Sequence, residues 1–248
     1  MQLSFGFGPG ERLDAGNPPV SKLSAVLAAA RSTPVYKPLI ARAAQTSSLA
    51  LAQLPPISVH AYLDNKERFR NPKAAERAQP NRIEGVLSGS MEEFLWLAVR
   101  VGAGEAAPPA AARRVTVRTP LGERLAEERA RDCLWRAFEL PVFEELVGSE
   151  NEVFASECEA HSGYHLETEA AIFEAVYGEL VVTSLVAVRY PIIRLRTGWV
   201  GAIERCACPC GERVTRFVPV SLAAAAVRIP PRTARTSRQA ADPAVAAV

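Results

Sequence analysis

Three cysteines alternate in the run Cys206-Ala-Cys-Pro-Cys-Gly211, and the pair Cys158-x-x-His161 lies fifty residues before Cys208. Tetrahedral zinc takes four soft or borderline ligands, usually as two close pairs brought together by loops or strand ends. Cys158 with His161 supplies one pair, and Cys208 with Cys210 supplies the other. Gly211 follows the second pair, so the backbone is free to turn and aim both sulfurs at one ion. His165 and Cys206 stand by as alternates. One ion held by both pairs would tie the strand near Cys158 to the segment about 50 residues later. With no open position evident, such a metal is structural. The alternative is unligated thiols packed beside a loop, because C-x-C is shorter than the usual C-x-x-C knuckle.

The residues between the two pairs have β character. Val153 to Cys158, Tyr164 to Leu166, Ala171 to Val176, Glu179 to Leu185 and Tyr190 to Leu195 are short and rich in β-branched or aromatic residues. Ser162-Gly163 and Tyr177-Gly178 separate them as turns, so the segment predicts an antiparallel meander. Helical spacing dominates earlier in the chain. Leu23, Val26, Leu27 and Ala30 share one face between Ser21 and Arg31, and a second helix is expected over Pro38 to Ala44. Asn65 to Arg82 reads as surface helix and loop, and Met91 to Val101 as a buried helix or strand. Val115 to Val117 is a short strand, and Leu121 to Phe138 an amphipathic helix with Leu125, Cys133, Leu134 and Phe138 inward.

These readings give an α+β chain in five parts: a loose Gly- and Pro-rich arm over 1–20, N-terminal helices over 21–100, a linker or deletion scar over 101–114, a reduced α/β middle with a zinc-stapled antiparallel β subdomain over 115–218, and a disordered tail over 219–248. Met1 to Ser21 lacks a basic start followed by an apolar block, and five cysteines without an export signal point to a reducing cytoplasm. No apolar run is long enough to span a membrane. A net charge of +2 gives no argument for nucleic acid or for an anionic membrane. Within the basic total, Arg outnumbers Lys 25 to 4, so any lysine chemistry must use Lys22, Lys37, Lys66 or Lys73.

Several separate pieces then combine. Phe143-Glu-Glu-Leu-Val-Gly-Ser-Glu150, Ala155-Ser-Glu-Cys-Glu159, Gly163-Tyr-His165, Gly178 to Ser184, Pro191-Ile-Ile-Arg-Leu-Arg-Thr-Gly198 and Cys208-Pro-Cys-Gly211 occur in this order. Together with Arg31 to Tyr36 and Leu51 to Pro56, they resemble the phenylacetate–CoA ligase and coenzyme F390 synthetase branch of the adenylate-forming enzymes. The resemblance covers about two thirds of the chain. It implies activation of a small, aryl-type carboxylic acid by ATP as an acyl-adenylate, then transfer to CoA, with Mg²⁺ as cofactor. It also implies that Glu150 is the catalytic residue positioning Mg²⁺ and ATP, and that Ser149, Arg194, Arg196 and Thr197 belong to the nucleotide site.

The chain departs from that family's pattern at four points. Leu146-Val147 replaces its Tyr-Gly, and Trp199 stands where a ribose-binding Asp is expected; an indole accepts no hydrogen bond from ribose hydroxyls. For the Ser/Thr/Gly phosphate loop the nearest candidate is Leu87-Ser-Gly-Ser90, which no lysine follows. Nor is there a counterpart of the C-terminal lid lysine. The leading expectation is therefore a shortened and degenerate ligase-like protein. The competing one is a non-catalytic, zinc-stabilised binding or assembly subunit beside a complete ligase, and a third has a second polypeptide supply the missing loop and lid.

Overall fold

The computed structural model of the chain describes residues 20–43, 51–75, 84–107 and 110–220. Residues 1–19 of the expected arm and all but the first two residues of the expected tail lie outside these residues. Among the described residues no helix is long and apolar enough to cross a membrane.

Helices α1 (Val20–Ala30) and α2 (Tyr36–Ala43) form where the apolar spacing places them. The two-residue strand β1 (Ile57–Ser58) leads directly into α3 (Val59–Asp64), whose N-terminus is capped by the Ser58 hydroxyl. A 3-10 turn over Lys66–Phe69 follows. Phe69 packs edge-on against Tyr36 and tilted against Tyr62, with ring centroids 5.4 and 4.8 Å apart, within this helical layer.

Two β-α-β units come next: β2 (Val86–Gly89), α4 (Met91–Gly102), β3 (Arg114–Pro120), α5 (Glu128–Phe138) and β4 (Val142–Val147). The three strands are parallel, as connections through helices allow. Phe94 and Ala98 of α4 and Leu134 and Phe138 of α5 pack on Val115, Val117 and Val142. The remaining strands are β5 (Val153–Glu157), β6 (Tyr164–Leu166), β7 (Ala171–Val176), β8 (Glu179–Ser184), β9 (Leu195–Ala207) and β10 (Arg213–Pro219). One continuous sheet runs in the order β2-β3-β4-β5-β6-β10-β9-β8-β7, antiparallel from β4 onward, and β1 adds a parallel pair to β9. The α/β middle and the antiparallel part are therefore halves of a single sheet. The N-terminal helices lie against the antiparallel half, burying Val26, Tyr36, Ile40, Tyr62 and Phe69 with Leu146, Phe154, Leu180, Ile192, Leu195 and Phe217.

Four sequence expectations change here. Cys133 is exposed, because a 3.6-residue repeat that points Leu134 and Phe138 inward turns its neighbour by about 100°. In α4 only Phe94 and Ala98 are buried, whereas Trp96 and Val99 are exposed. Leu87 to Gly89 belong to β2, and Ser90 is the N-cap of α4 in a capping box with Glu93, so this run closes a helix terminus. Tyr190 to Arg194 is not a strand; the strand begins at Leu195 and continues for 13 residues.

Candidate functional site

The alternation of a strand decides which sulfur and imidazole atoms meet. Across the sheet Ser156 pairs with His165, His165 with Arg216, and Arg216 with Glu204, so these side chains share one face. Cys158 follows the end of β5 beside that row. Cys208 and Cys210 sit in the β9–β10 turn, which is closed by Cys208 N–H donating to Glu212 O and Gly211 N–H to Cys208 O, 2.8 and 2.9 Å. Gly163, with φ +108°, lets β6 come close to β10; a Cβ there would lie 2.5 Å from the carbonyl oxygen of Phe217. Cys158, His165, Cys208 and Cys210 thus place four ligand atoms within 4.8 Å of one another.

The distances fit a tetrahedral ion. Zn–S bonds of about 2.3 Å and Zn–N bonds of about 2.0 Å give tetrahedron edges of about 3.8 Å between sulfurs and about 3.5 Å between sulfur and nitrogen. Cys158 Sγ and Cys208 Sγ are 3.6 Å apart, and Cys210 Sγ is 3.7 Å from His165 Nε2. His165 Nδ1 lies 3.5 Å from a Glu212 carboxylate oxygen, the arrangement that orients a metal-bound imidazole. Hydrogen bonds from the Cys210 backbone N–H and from His165 pull the Cys208 thiol down to about 6. Burial pushes Cys158 up to about 11.

Of the residues expected from spacing, His161 and Cys206 lie outside this group. His161 occupies a left-handed turn, φ 46°, stacks on Phe143 with 5.2 Å between centroids, and directs Nδ1 to Glu157 at 3.7 Å. Cys206 is exposed in β9, 3.7 Å from Glu204. Beside the cluster lies a buried polar network that sequence patterns do not reveal. Glu144, fully buried, accepts from Thr119, Tyr164, Arg131 and the Ala126 N–H, and Arg131 also bonds Glu157 at 2.6 Å. A charged residue inside the run Phe143-Glu-Glu-Leu146 is the one available signal.

A second corner gathers three segments around Glu150. The β4–β5 loop holds Ser149 and Glu150, and the Glu152 carboxylate accepts the Glu150 N–H at 2.8 Å. Tyr62 of α3 shares a 2.7 Å hydrogen bond with Ser149 Oγ. Tyr190 N–H donates to Glu150 Oε1 at 2.8 Å, and Asn71 fixes the same loop by bonds with the carbonyls of Arg189 and Val188. Ser149 and Glu150 are half-buried. Among the described residues Glu150 Oε2 makes no hydrogen bond or ion pair, and the carboxylate is held through Oε1.

The other expected nucleotide-site residues have internal partners. Arg194 is buried, pairs with Glu174 at 2.9 Å and donates to the carbonyls of Ala52 and Leu54. Thr197 is buried and donates to Leu180 O. Arg196, on an exposed strand face, pairs with Glu179. Trp199 is buried with its indole N–H on Glu123 O. These bonds hold β9 to β7, β8 and the segment before β1.

No family model matches the chain, and no curated protein matches it. Solved structures do. The fold aligns with 2-hydroxyisobutyryl-CoA ligase in complex with 2-HIB-AMP and CoA in the thioesterification state, at a TM-score of 0.54 and 12% identity, over 84% of this chain and 68% of that one. The likeness is one of fold. Against an open conformation of the same ligase with 2-HIB-AMP and CoA the TM-score is 0.45 at 16% identity, over 54% of this chain. The chain spans 32% of that structure's length. These structures are of a 2-hydroxyisobutyryl-CoA ligase, and the phenylacetate branch is not singled out among them.

Proposed function

We propose that the chain is a reduced acid–CoA ligase that binds MgATP at the Glu150 corner, activates a small carboxylic acid as its acyl-adenylate and passes the acyl group to CoA. The observation that carries this reading is the Glu150 corner, where the Tyr190 N–H donates to Glu150 Oε1 and Tyr62 shares a hydrogen bond with Ser149, in a fold like that of a ligase solved with an acyl-AMP and CoA. Bound Mg²⁺ supplies charge neutralisation on the phosphates. Glu150 Oε2 would hold that ion, and Ser149, kept in place by Tyr62, would face the phosphate chain. In the first step an oxygen of the substrate carboxylate bonds to the α-phosphorus and pyrophosphate leaves. In the second the CoA sulfur bonds to the acyl carbon and AMP leaves.

Cys158, His165, Cys208 and Cys210 would hold one structural Zn²⁺ that ties the β5–β6 loop to the β9–β10 turn, with Glu212 orienting His165. The test of the catalytic reading is product analysis. Incubation with MgATP, CoA and a panel of aryl and 2-hydroxy acids is expected to yield a thioester and AMP, and Glu150→Gln to abolish both. No product from any acid would count against it.

A non-catalytic assembly subunit is the second reading, and one observation favours it. Trp199, Arg194 and Thr197 are all committed to internal bonds, which leaves the ribose without an acceptor from this strand. MgATP binding without turnover, restored to turnover by a complete ligase, would select it.

A further inference from the structure

We propose that α4 is a self-association helix, its outward face forming the seam of a two-fold dimer with a second copy of this chain. Along that face Glu92, Trp96, Val99 and Ala103 recur at intervals of four, three and four residues, the spacing of the buried seam in paired helices. All four are exposed, Trp96 at 61% and Val99 at 71%. The inward face is already used, since Phe94 and Ala98 pack on Val115, Val117 and Val142. At about 100° per residue the two stripes lie on opposite sides of the helix. Exposure alone would carry nothing, as Trp135 shows. It is 58% exposed on α5, but its exposed neighbours one turn away are Asp132 and Glu139, and a lone aromatic of that kind is ordinary surface. Trp96 differs in having Val99 and Ala103 in line with it.

Charge identifies the occupant. α4 carries Glu92 and Glu93 in its first turn and Arg100 in its last, so a second α4 laid antiparallel brings acid against base at both ends. Two parallel copies would set like charges together. A two-fold axis between Trp96 and Val99 places each Trp96 against Val99 of the other copy, and each Glu92 beside the 100–103 turn of the other. One patch is thereby used twice, as a two-fold interface requires. Arg100 can exchange partners, because within the chain it lies 4.8 Å from the Trp96 ring centre and 3.5 Å from Glu105 in an exposed pair, which contributes little. In the dimer its guanidinium would stay over the indole and reach Glu92 of the other copy. A Cβ at Gly102 or Gly104 would meet nothing within 4 Å, so the chain leaves room at the end of α4.

The test is sedimentation equilibrium of the full chain over a wide range of concentrations. The proteins compared are wild type, Trp96→Glu, Glu92→Arg, Arg100→Glu and the double variant with both charge reversals, each checked for an unchanged fold by circular dichroism. Wild type is expected to form a reversible dimer. Trp96→Glu should raise the dimer Kd by at least about thirtyfold, the effect of losing a central aromatic anchor. Either charge reversal alone sets like charges together and should weaken the dimer, whereas the double variant should recover most of it; a general loss of helix stability would give no recovery. A monomer at every concentration overturns the proposal, whether Trp96 is then open to iodide quenching, as bare surface, or shielded, as the seat of another segment of this chain. A dimer that is indifferent to Trp96→Glu, or that the double variant fails to recover, puts the two-fold axis elsewhere and overturns it too.

Discussion

At the scale of single residues, two histidines and one arginine separate what spacing reveals from what only folding decides. Cys158-x-x-His161 has metal-ligand spacing, yet the imidazole that meets the sulfurs is His165. The reason is register: β6 places His165 opposite Arg216 on the face shared with Cys208, whereas the left-handed turn at His161 sends its ring to Phe143 and Glu157. Protein purified without added zinc is expected to carry about one ion per chain. His165→Ala should lose the ion and His161→Ala keep it, by metal analysis; the opposite pattern would show that the ligand set is wrong. Arg194 is the complementary case. Its motif suggested nucleotide, but burial and three internal acceptors make it a clamp between Glu174 and the residues before β1. Removing one partner of a buried pair costs about 3–5 kcal/mol, so Arg194→Met should lower the melting temperature sharply, while an unchanged melting curve would contradict the clamp.

The elements follow local sequence rules where those rules act alone. α1, α2 and the strands β5 to β8 form close to where apolar periodicity places them, because each is decided within a few residues. The misses are instructive. β9 starts at Leu195, since the preceding segment is bent through Arg194, φ 47°, to bring Tyr190 N–H onto Glu150. At Ser90 the Gly/Ser run that resembled a phosphate loop is a capping box, with the hydroxyl accepting from Glu93 N–H and the Glu93 carboxylate accepting from Ser90 N–H. Ser90→Ala should therefore destabilise α4 by about 1 kcal/mol, read as a shifted denaturant midpoint, with no effect on nucleotide affinity. A change in MgATP binding without a change in stability would return that run to the phosphate site. Gly148 has a similar local necessity, because the Glu152 side chain lies where its Cβ would be, and Gly148→Ala is expected to displace Glu150 and weaken MgATP.

The whole molecule is the scale that the sequence exposes least. Joining parallel β2-β3-β4 to the antiparallel strands through β4–β5, and placing β10 between β6 and β9, are pairings between distant segments with no local signature. The cysteine pattern did constrain them, because the β9–β10 turn must return to β5 and β6 for Cys158 and Cys208 to lie 3.6 Å apart. Removing the metal should consequently loosen this end of the sheet: a chelator is expected to lower the melting temperature of the wild type, and to leave that of a Cys208→Ser, Cys210→Ser variant unmoved. At the other corner α3, the β4–β5 loop and the Tyr190 loop meet at Glu150. ATP–pyrophosphate exchange by the full chain, with 2-hydroxy and aryl acids supplied singly, isolates the adenylation step that this corner would perform. Exchange that depends on one class of acid and on Mg²⁺, and that disappears in Glu150→Gln, is expected; exchange absent with every acid, or persisting in Glu150→Gln, would rule out adenylation at Glu150.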